Sequence, residues 1–423
     1  MNFKDLHTNI KVRLLINFVQ KLTQMTVFPF MAIYFSAHYG LTIAGILMIL
    51  SVVAALLSSF YGGYFADKMG RRIVLLEGEK YRFVTMLLMA LCNSPWFFDP
   101  TLTYIFFFIN SILVGLITPA NEAILIDVST TKTRKMLYSL NYWSINFSIA
   151  LGSMIGAFFY KDYFFLLLLS TAVASAGSYY LIKRFISETN PLQGKQKITK
   201  VSLKEIYQNY KVVLKDRLFA IYLIAGICML GLEFQLINFI AVKLSDEFGV
   251  QQLFGFSSFE FDGVEILGLL RVKNTLLVVL LGALVLKLTQ KAEDKVILYT
   301  GAVLFSSGFA LLAVTNEAWI LLVATLVFTI GELMYVPIHQ ALLAELIDDA
   351  MRSQYIAVNS LRVRGAMILG ALGVTLGAFI PNGAMALIYI SMGGISIVLY
   401  TIVYAKLKGN RVVYEVGEEK EAL

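Results

Sequence analysis

Gly62-Gly63-Tyr64-Phe65-Ala66-Asp67-Lys68-Met69-Gly70-Arg71-Arg72-Ile73 sets three glycines, one aspartate and three cations between two long apolar runs. Glycines permit a tight, close-packed turn, and the cations mark one side of whatever the flanking runs cross. The class of the protein follows from those runs.

The chain is 58% hydrophobic and 15% charged over 423 residues, with a mean hydropathy of +0.74. A soluble protein of this length needs far more polar surface. Apolar stretches of about 18–25 residues, enough to cross a bilayer as helices, recur along the chain. Twelve are expected, near 12–36, 43–66, 73–93, 102–124, 137–159, 163–184, 218–243, 270–289, 296–314, 318–341, 354–378 and 384–406. In lipid the backbone must satisfy itself, so these spans are helices; the short alternating segments of an outer-membrane barrel are absent. The first span is too long for a signal-peptide core and lacks a small-residue cleavage site, so it is expected to stay as the first helix.

Most Lys and Arg fall in the odd-side segments: the N-terminus, the 62–73 loop, the loop after the fourth span, the basic linker after the sixth, and the tail. Lys161, Lys243, Arg271 and Lys273 stand on or near the other side. The asymmetry puts both termini in the cytoplasm. The net charge of +7 therefore reports topology, and no nucleic-acid partner is implied. Cys92 and Cys228 lie in apolar spans as packing residues, with no metal or disulfide framework.

Residues 186–217 form the longest polar segment, a linker that turns amphipathic from Ser202, with Leu203, Ile206, Tyr207, Tyr210 and Leu214 on one face. It separates a bundle of six spans (1–185) from a second (218–410), followed by a cytoplasmic tail (411–423). The halves repeat one another. Pro119–Gly152 lies without gaps on Pro337–Gly370, so that Asp127 meets Glu345, Arg134 meets Arg352, Asn141 meets Asn359 and Gly152 meets Gly370. A weaker match sets Phe30–Ser36 on Phe239–Ser245. Two parallel six-helix halves with a site between them are the architecture of an alternating-access transporter.

The 62–73 stretch resembles the loop signature G-x-x-x-D-R/K-x-G-R-R/K of the major facilitator superfamily, with Gly63, Asp67, Gly70, Arg71 and Arg72 in place. The resemblance covers the whole chain and implies an all-α membrane fold of twelve helices in two pseudo-symmetric bundles. Within the superfamily, TVFPFMAIYF, ILIDVSTTKTRK, NYWSINFSIALGSMIGA and FTIGELMYVP are similar to the lactococcal proton-coupled multidrug exporters. The resemblance implies that Asp67 and Arg71 latch onto Asp127 and the start of the eleventh helix, a cytoplasmic gate that also holds Gly63, Gly70, Arg72 and Arg134. The fifth helix carries Ser148, Gly152, Ser153, Gly156 and Ala157, spacing that favours close helix packing. It resembles the superfamily's antiporter motif, with Ser153 in place of its proline.

Charge inside a membrane is costly and functional by default. Glu332, halfway along the tenth span, stands where the exporters keep a key glutamate; Glu233 is similarly deep in the seventh. Both are expected to load and release a proton or meet substrate. The family pattern places an aspartate where this chain has Asn141, an amide that carries no proton. Lys21, Arg362 and Arg364 are further intramembrane cations. They either pair, as Glu332 with Arg362, or bind an anionic or zwitterionic substrate. Glu77, Glu79, Lys80 and Arg82 read as a solvated, self-pairing start to the third helix. Tyr142 and Trp143 are placed to stack on a lipophilic cation. His339, near the inner end of the tenth span, could titrate but reads as a satisfied packing residue.

The reading is a multi-pass protein of the bacterial inner membrane, a monomer among lipids that exports amphipathic or cationic compounds against protons, or sodium. It takes a small-molecule substrate and no cofactor or metal. The alternatives are a proton-coupled carrier of a zwitterionic or anionic metabolite (amino acid-, peptide- or metallophore-like) and a receptor or assembly factor on a transporter fold. No P-loop or nucleophile–His–acid set suggests an enzyme.

Overall fold

The computed structural model describes residues 8–128, 131–189, 213, 215–252, 260–347 and 351–421. The expected amphipathic segment from Ser202 to Leu214 lies largely outside them. The described chain is almost entirely helical: α1 (Thr8–Val27), α2 (Met31–Met69), α3 (Arg71–Leu91), α4 (Pro100–Asp127), α5 (Thr131–Phe185), α6 (Arg217–Gln235), α7 (Phe239–Glu247), α8 (Gly263–Thr289), α9 (Asp294–Val314), α10 (Ala318–Leu346), α11 (Arg352–Gly377) and α12 (Asn382–Glu421). Two ladders of two residues per strand, Asn93–Ser94 with Phe97–Phe98 and Gln251–Gln252 with Glu260–Phe261, pin two of the turns.

Helix boundaries differ from the hydropathy reading for local reasons. Pro29 sits in a 3₁₀ turn, Phe28–Phe30, which ends α1 within the first span. The chain then continues helically from Met31 to Met69, broken only at Gly40, whose φ of 76° no side-chain-bearing residue adopts readily. The fifth and sixth spans likewise run together as α5, with a break at Tyr163. Eight described stretches are long and apolar enough to cross a bilayer, one of them the 62-residue run Thr8–Met69. α3 and α11 fall outside that set because Glu77, Glu79, Lys80 and Arg82 in one, and Arg362 and Arg364 in the other, hold their hydropathy down.

The contacts sort into two compact units, Met1–Val201 with Ala241–Thr275, and Ser202–Ile240 with Leu276–Leu423. In the first, α1 packs along α5, α2 along α4, and α3 against α4 and α5. In the second, α6 packs along α11 and α12, and α9 along α10 and α12. The sequence repeat has a steric counterpart. Gly152 seats α5 against Leu22 and Met25 of α1, and its partner in the repeat, Gly370, seats α11 against Phe234 and Asn238 of α6. Neither site has room for a Cβ. Ser148 of the α5 small-residue face serves the same contact, its Oγ donating to the Phe18 carbonyl at 3.1 Å, whereas Ser153 and Ala157 lie against Gly268 of α8. Pro119 and Pro337, also equivalent in the repeat, lie inside α4 and α10.

Carboxylates cap the starts of α6 and α8. Asp216 accepts from the Leu218 and Phe219 amides at 2.9 and 3.1 Å and from the Tyr355 hydroxyl at 2.8 Å. Asp262 and Glu265 cap α8 reciprocally, and Asp262 also meets Lys161 at 2.5 Å. Such caps answer the orphan amides of a first helical turn. Arg271 and Lys273 lie within α8, two to three turns past its Gly263 start, since the helix begins seven residues before the expected eighth span.

Candidate functional site

Two clusters of ionisable residues emerge, one in each unit, together with the charged loop of residues 62–73.

In that loop, Gly70 links α2 to α3 with φ 98°, the left-handed region that favours glycine. The turn aims Arg71 at α4, where it ion-pairs with Asp127 and donates to the Ala123 carbonyl at 3.3 Å. Asp127 also accepts from Thr189 Oγ1 at 2.7 Å. Glu188 accepts from the amides of Arg71 and Arg72 at 3.1 and 3.0 Å, capping α3, and Arg72 donates to the Lys183 carbonyl at 2.8 Å. The loop is thus tied to α4 and to the end of α5. Asp67 is exposed on the last turn of α2, and Gly63 is half-buried opposite Pro119. The Arg134 side chain lies outside the described residues. Glu188 carried no signal in the sequence, because it sits in the polar linker more than a hundred residues from the amides it caps.

In the first unit a buried polar network crosses α1, α3, α4 and α5. Glu79 and Arg82 pair at 3.0 Å, both buried, and Arg82 donates to Asn110 at 3.3 Å. Arg13, fully buried, donates to Asn17 at 2.8 Å, and Asn17 donates to Asn141 at 3.3 Å. The expectation of a solvated start to α3 holds for Glu77 and Lys80, half-exposed and 3.5 Å apart, and is corrected for Glu79 and Arg82. α3 lies between α4 and α5, so one of its faces has no water to meet. Asn141 stands one amide away from the Arg13 guanidinium. Lys21 is half-buried on α1, within electrostatic range of Arg271 on α8. Trp143 is 66% exposed and stacks on Phe147 at 5.6 Å, which stacks in turn on Phe18 at 6.2 Å. The Tyr142 side chain is outside the described residues.

In the second unit Glu332 of α10 is half-buried and Glu233 of α6 exposed. Both carboxylates, and Arg362 of α11, act electrostatically on the hydroxyl of the buried Tyr335. Arg362 is bonded to His339: its Nη1 meets His339 Nε2. His339 is a buried, hydrogen-bonded side chain. Its partners Tyr222 and Tyr400 lie 117 and 61 residues away along the chain, a separation no local pattern bridges. Arg364 is half-buried one turn-fraction beyond.

Comparison with known proteins now bears on this arrangement. The family model described as Major Facilitator Superfamily matches residues 14–371. The chain belongs to the major facilitator superfamily. It is a secondary transporter and not an enzyme. A Na(+), Li(+), K(+)/H(+) antiporter of Planococcus maritimus is 31% identical over 392 residues, 90% of this chain and 92% of that one. The uncharacterized MFS-type transporter YqjV of Bacillus subtilis is 24% identical, over 84% and 82% of the two chains. Among solved structures, a POT family transporter in complex with 5-aminolevulinic acid superposes with a TM-score of 0.74 at 15% identity, over 96% of this chain and 97% of that one. The nucleoside transporter NupG superposes with a TM-score of 0.66 at 16% identity, over 94% and 98%. These two likenesses concern the fold alone. The transporter's twelve-span, all-α membrane architecture is the one the loop signature implied.

Proposed function

We propose that this transporter is a proton-coupled antiporter of the cytoplasmic membrane, exchanging a monovalent cation from the cytoplasm for external protons at Glu332 and Glu233. The observation that carries the reading is the pair of membrane-embedded carboxylates, one on α6 and one on α10, sharing the neighbourhood of Tyr335. A carboxylate within a membrane is expensive unless it binds something, and a site that takes either a proton or a cation performs exchange when it opens to alternate sides. The exchange named for the Planococcus relative supports an alkali cation as the first substrate to try. Asp67, Arg71, Arg72 and Asp127, with Arg134, form the cytoplasmic gate, and both termini lie inside. The protein acts as a monomer within the lipid.

Everted vesicles carrying the protein test this. NaCl, LiCl and KCl, added after respiration has acidified the lumen, are expected to collapse the pH gradient; Glu332→Gln and Glu233→Gln abolish that collapse. Wild-type vesicles indifferent to all three salts would sink the reading.

A second reading, export of amphipathic organic cations, is favoured by the Trp143–Phe147–Phe18 stack, whose flat faces suit such a cation. Tetraphenylphosphonium in the same vesicles tests it, with Trp143→Ala expected to reduce the response to that cation and leave the response to sodium. Arg362, the expected carboxylate ligand of a zwitterionic substrate, meets His339 in this state.

A further inference from the structure

His339 stands two residues beyond Pro337 on α10 and is 2% exposed. Both of its ring nitrogens are engaged. Tyr400 of α12 meets Nδ1 at 2.8 Å. The Tyr222 ring of α6 stacks on the imidazole with centroids 4.5 Å apart, and its hydroxyl lies 2.9 Å from both Nε2 and the His339 carbonyl. Arg362 of α11 closes on Nε2 as well. Gly226 of α6 makes room for this, with Arg362 and His339 packed where its Cβ would be.

The proton positions follow from the chemistry of the groups. A guanidinium only donates, so Nε2 accepts from Arg362, the ring proton sits on Nδ1, and Nδ1 donates to Tyr400. The Tyr222 hydroxyl then donates to the His339 carbonyl. The imidazole in this state is neutral and has one tautomer. A proton on Nε2 would remove the acceptor and set two cations against each other. Docked Arg362 and protonated His339 therefore exclude one another. The other groups around the ring are Tyr335 and, beyond it, Glu332 on the same helix and Glu233 on α6. From α9, Phe305 covers Tyr335; Cys228 of α6 acts on Tyr400. Asp294 of α9 and Glu345 of α10 act on Tyr404 of α12.

We infer that His339 is a second proton-binding site of the transport cycle, closed when Arg362 docks on it and opened when Arg362 moves to the carboxylates. The inference rests on the exchange reading of Glu332 and Glu233. The exchange balances. A cation arriving at a carboxylate displaces the guanidinium; the guanidinium returns to Nε2 and one proton leaves the imidazolium. Loss of the cation reverses each step. The repeat supplies a second observation: the positions equivalent to His339 and Arg362 are Asn121 and Ser144. Neither side chain titrates, so this device belongs to one copy of the duplicated unit.

The test is the charge state of His339 in purified protein carrying ¹⁵N-histidine, read by NMR from about pH 5 to about pH 9, the range in which an imidazole titrates. His339→Gln identifies the resonances, and Tyr400→Phe serves where that variant does not fold. The wild type is expected to show a bare Nε2 and a protonated Nδ1. Arg362→Gln forms the imidazolium at a pH where the wild type stays neutral, and Arg362→Lys, which keeps charge and donor, preserves the neutral ring. Identical charge states in wild type and Arg362→Gln throughout the range would overturn the inference. In proteoliposomes with NaCl as the probe, Arg362→Gln loses sodium-driven proton release to a greater extent than Na⁺–Na⁺ exchange; equal loss of both also counts against it. If the wild type carries no sodium, the exchange reading fails by itself, and the NMR result still decides whether Arg362 controls the charge on His339.

Discussion

Arg71, in the first turn of α3, is ion-paired with Asp127 in the last turn of α4, across a turn whose linking glycine holds φ at 98°. Both side chains are partly open to solvent, 15% and 22% exposed. A pair of that kind contributes about 1 kcal/mol or less, too little to hold two packed helices together. Its value lies in which state of the loop it favours. Asp127→Asn and Arg71→Gln are expected to cut transport severalfold while leaving thermal stability in detergent nearly unchanged, and the double charge swap recovers part of the rate. A large loss of stability with unaltered transport per folded molecule would show a structural tie only.

Gly63 and Gly70 belong to the same motif but face different constraints. A Cβ at Gly63 makes only ordinary contact with Pro119. One at Gly70 has to adopt φ 98° with ψ 143°, a combination close to the region reserved for glycine, at a cost of ~1–3 kcal/mol. Gly63→Ala is expected to keep a near-wild-type melting temperature and Gly70→Ala to lower it. Equal effects at both positions would contradict the geometry.

Glu188 caps two amides at once, those of Arg71 and Arg72. Glu188→Ala is expected to cost ~1 kcal/mol, the usual worth of a helix cap, and Glu188→Gln less. Hydrogen exchange at the first turn of α3 should rise in the same order, which separates a capping role from a general loss of charge.

Glu79 is the buried carboxylate between Arg82, with which it pairs, and Arg13, on which it acts electrostatically. Glu79→Gln leaves two buried guanidiniums without it and is expected to destabilise the protein by ~3–5 kcal/mol, read as loss of monodisperse protein on size-exclusion chromatography. Glu79→Leu combined with Arg82→Met removes charge on both sides of the pair and should recover much of the yield. Failure of the double variant alongside the single one would mean that the polarity itself is needed.

The sequence and the structure agree where one-dimensional pattern is enough. Hydropathy marks the spans, and the repeat brings Gly152 and Gly370 to equivalent helix contacts. The Asp127–Arg71 pair was legible because both residues sit at helix ends on one side of the membrane. Hydropathy could not see that helix continues through the ends of spans, as at Gly40, where backbone dihedrals decide. The charges of α3 alternate in a way that resembles a solvated first turn; only the packing of α4 and α5 around it reveals that Glu79 and Arg82 are inside. His339 was read from its own helix, whereas its chemistry comes from α6, α11 and α12. The family pattern directed attention to Glu332 and Asn141, and was silent on the imidazole.

Pro337 lies between Glu332 and His339 on α10. A proline removes the amide that would have bonded to the carbonyl one turn earlier, so the helix can bend at this point without breaking a backbone bond. The carboxylate and the imidazole thereby stand on opposite sides of a point in the continuous α10 where the backbone ladder lacks an amide. Small angular movements of one side alter the distance between them while each keeps its own packing. Replacing the proline would splint the helix, and a transporter stiffened there would hold its ligands in one arrangement and stall.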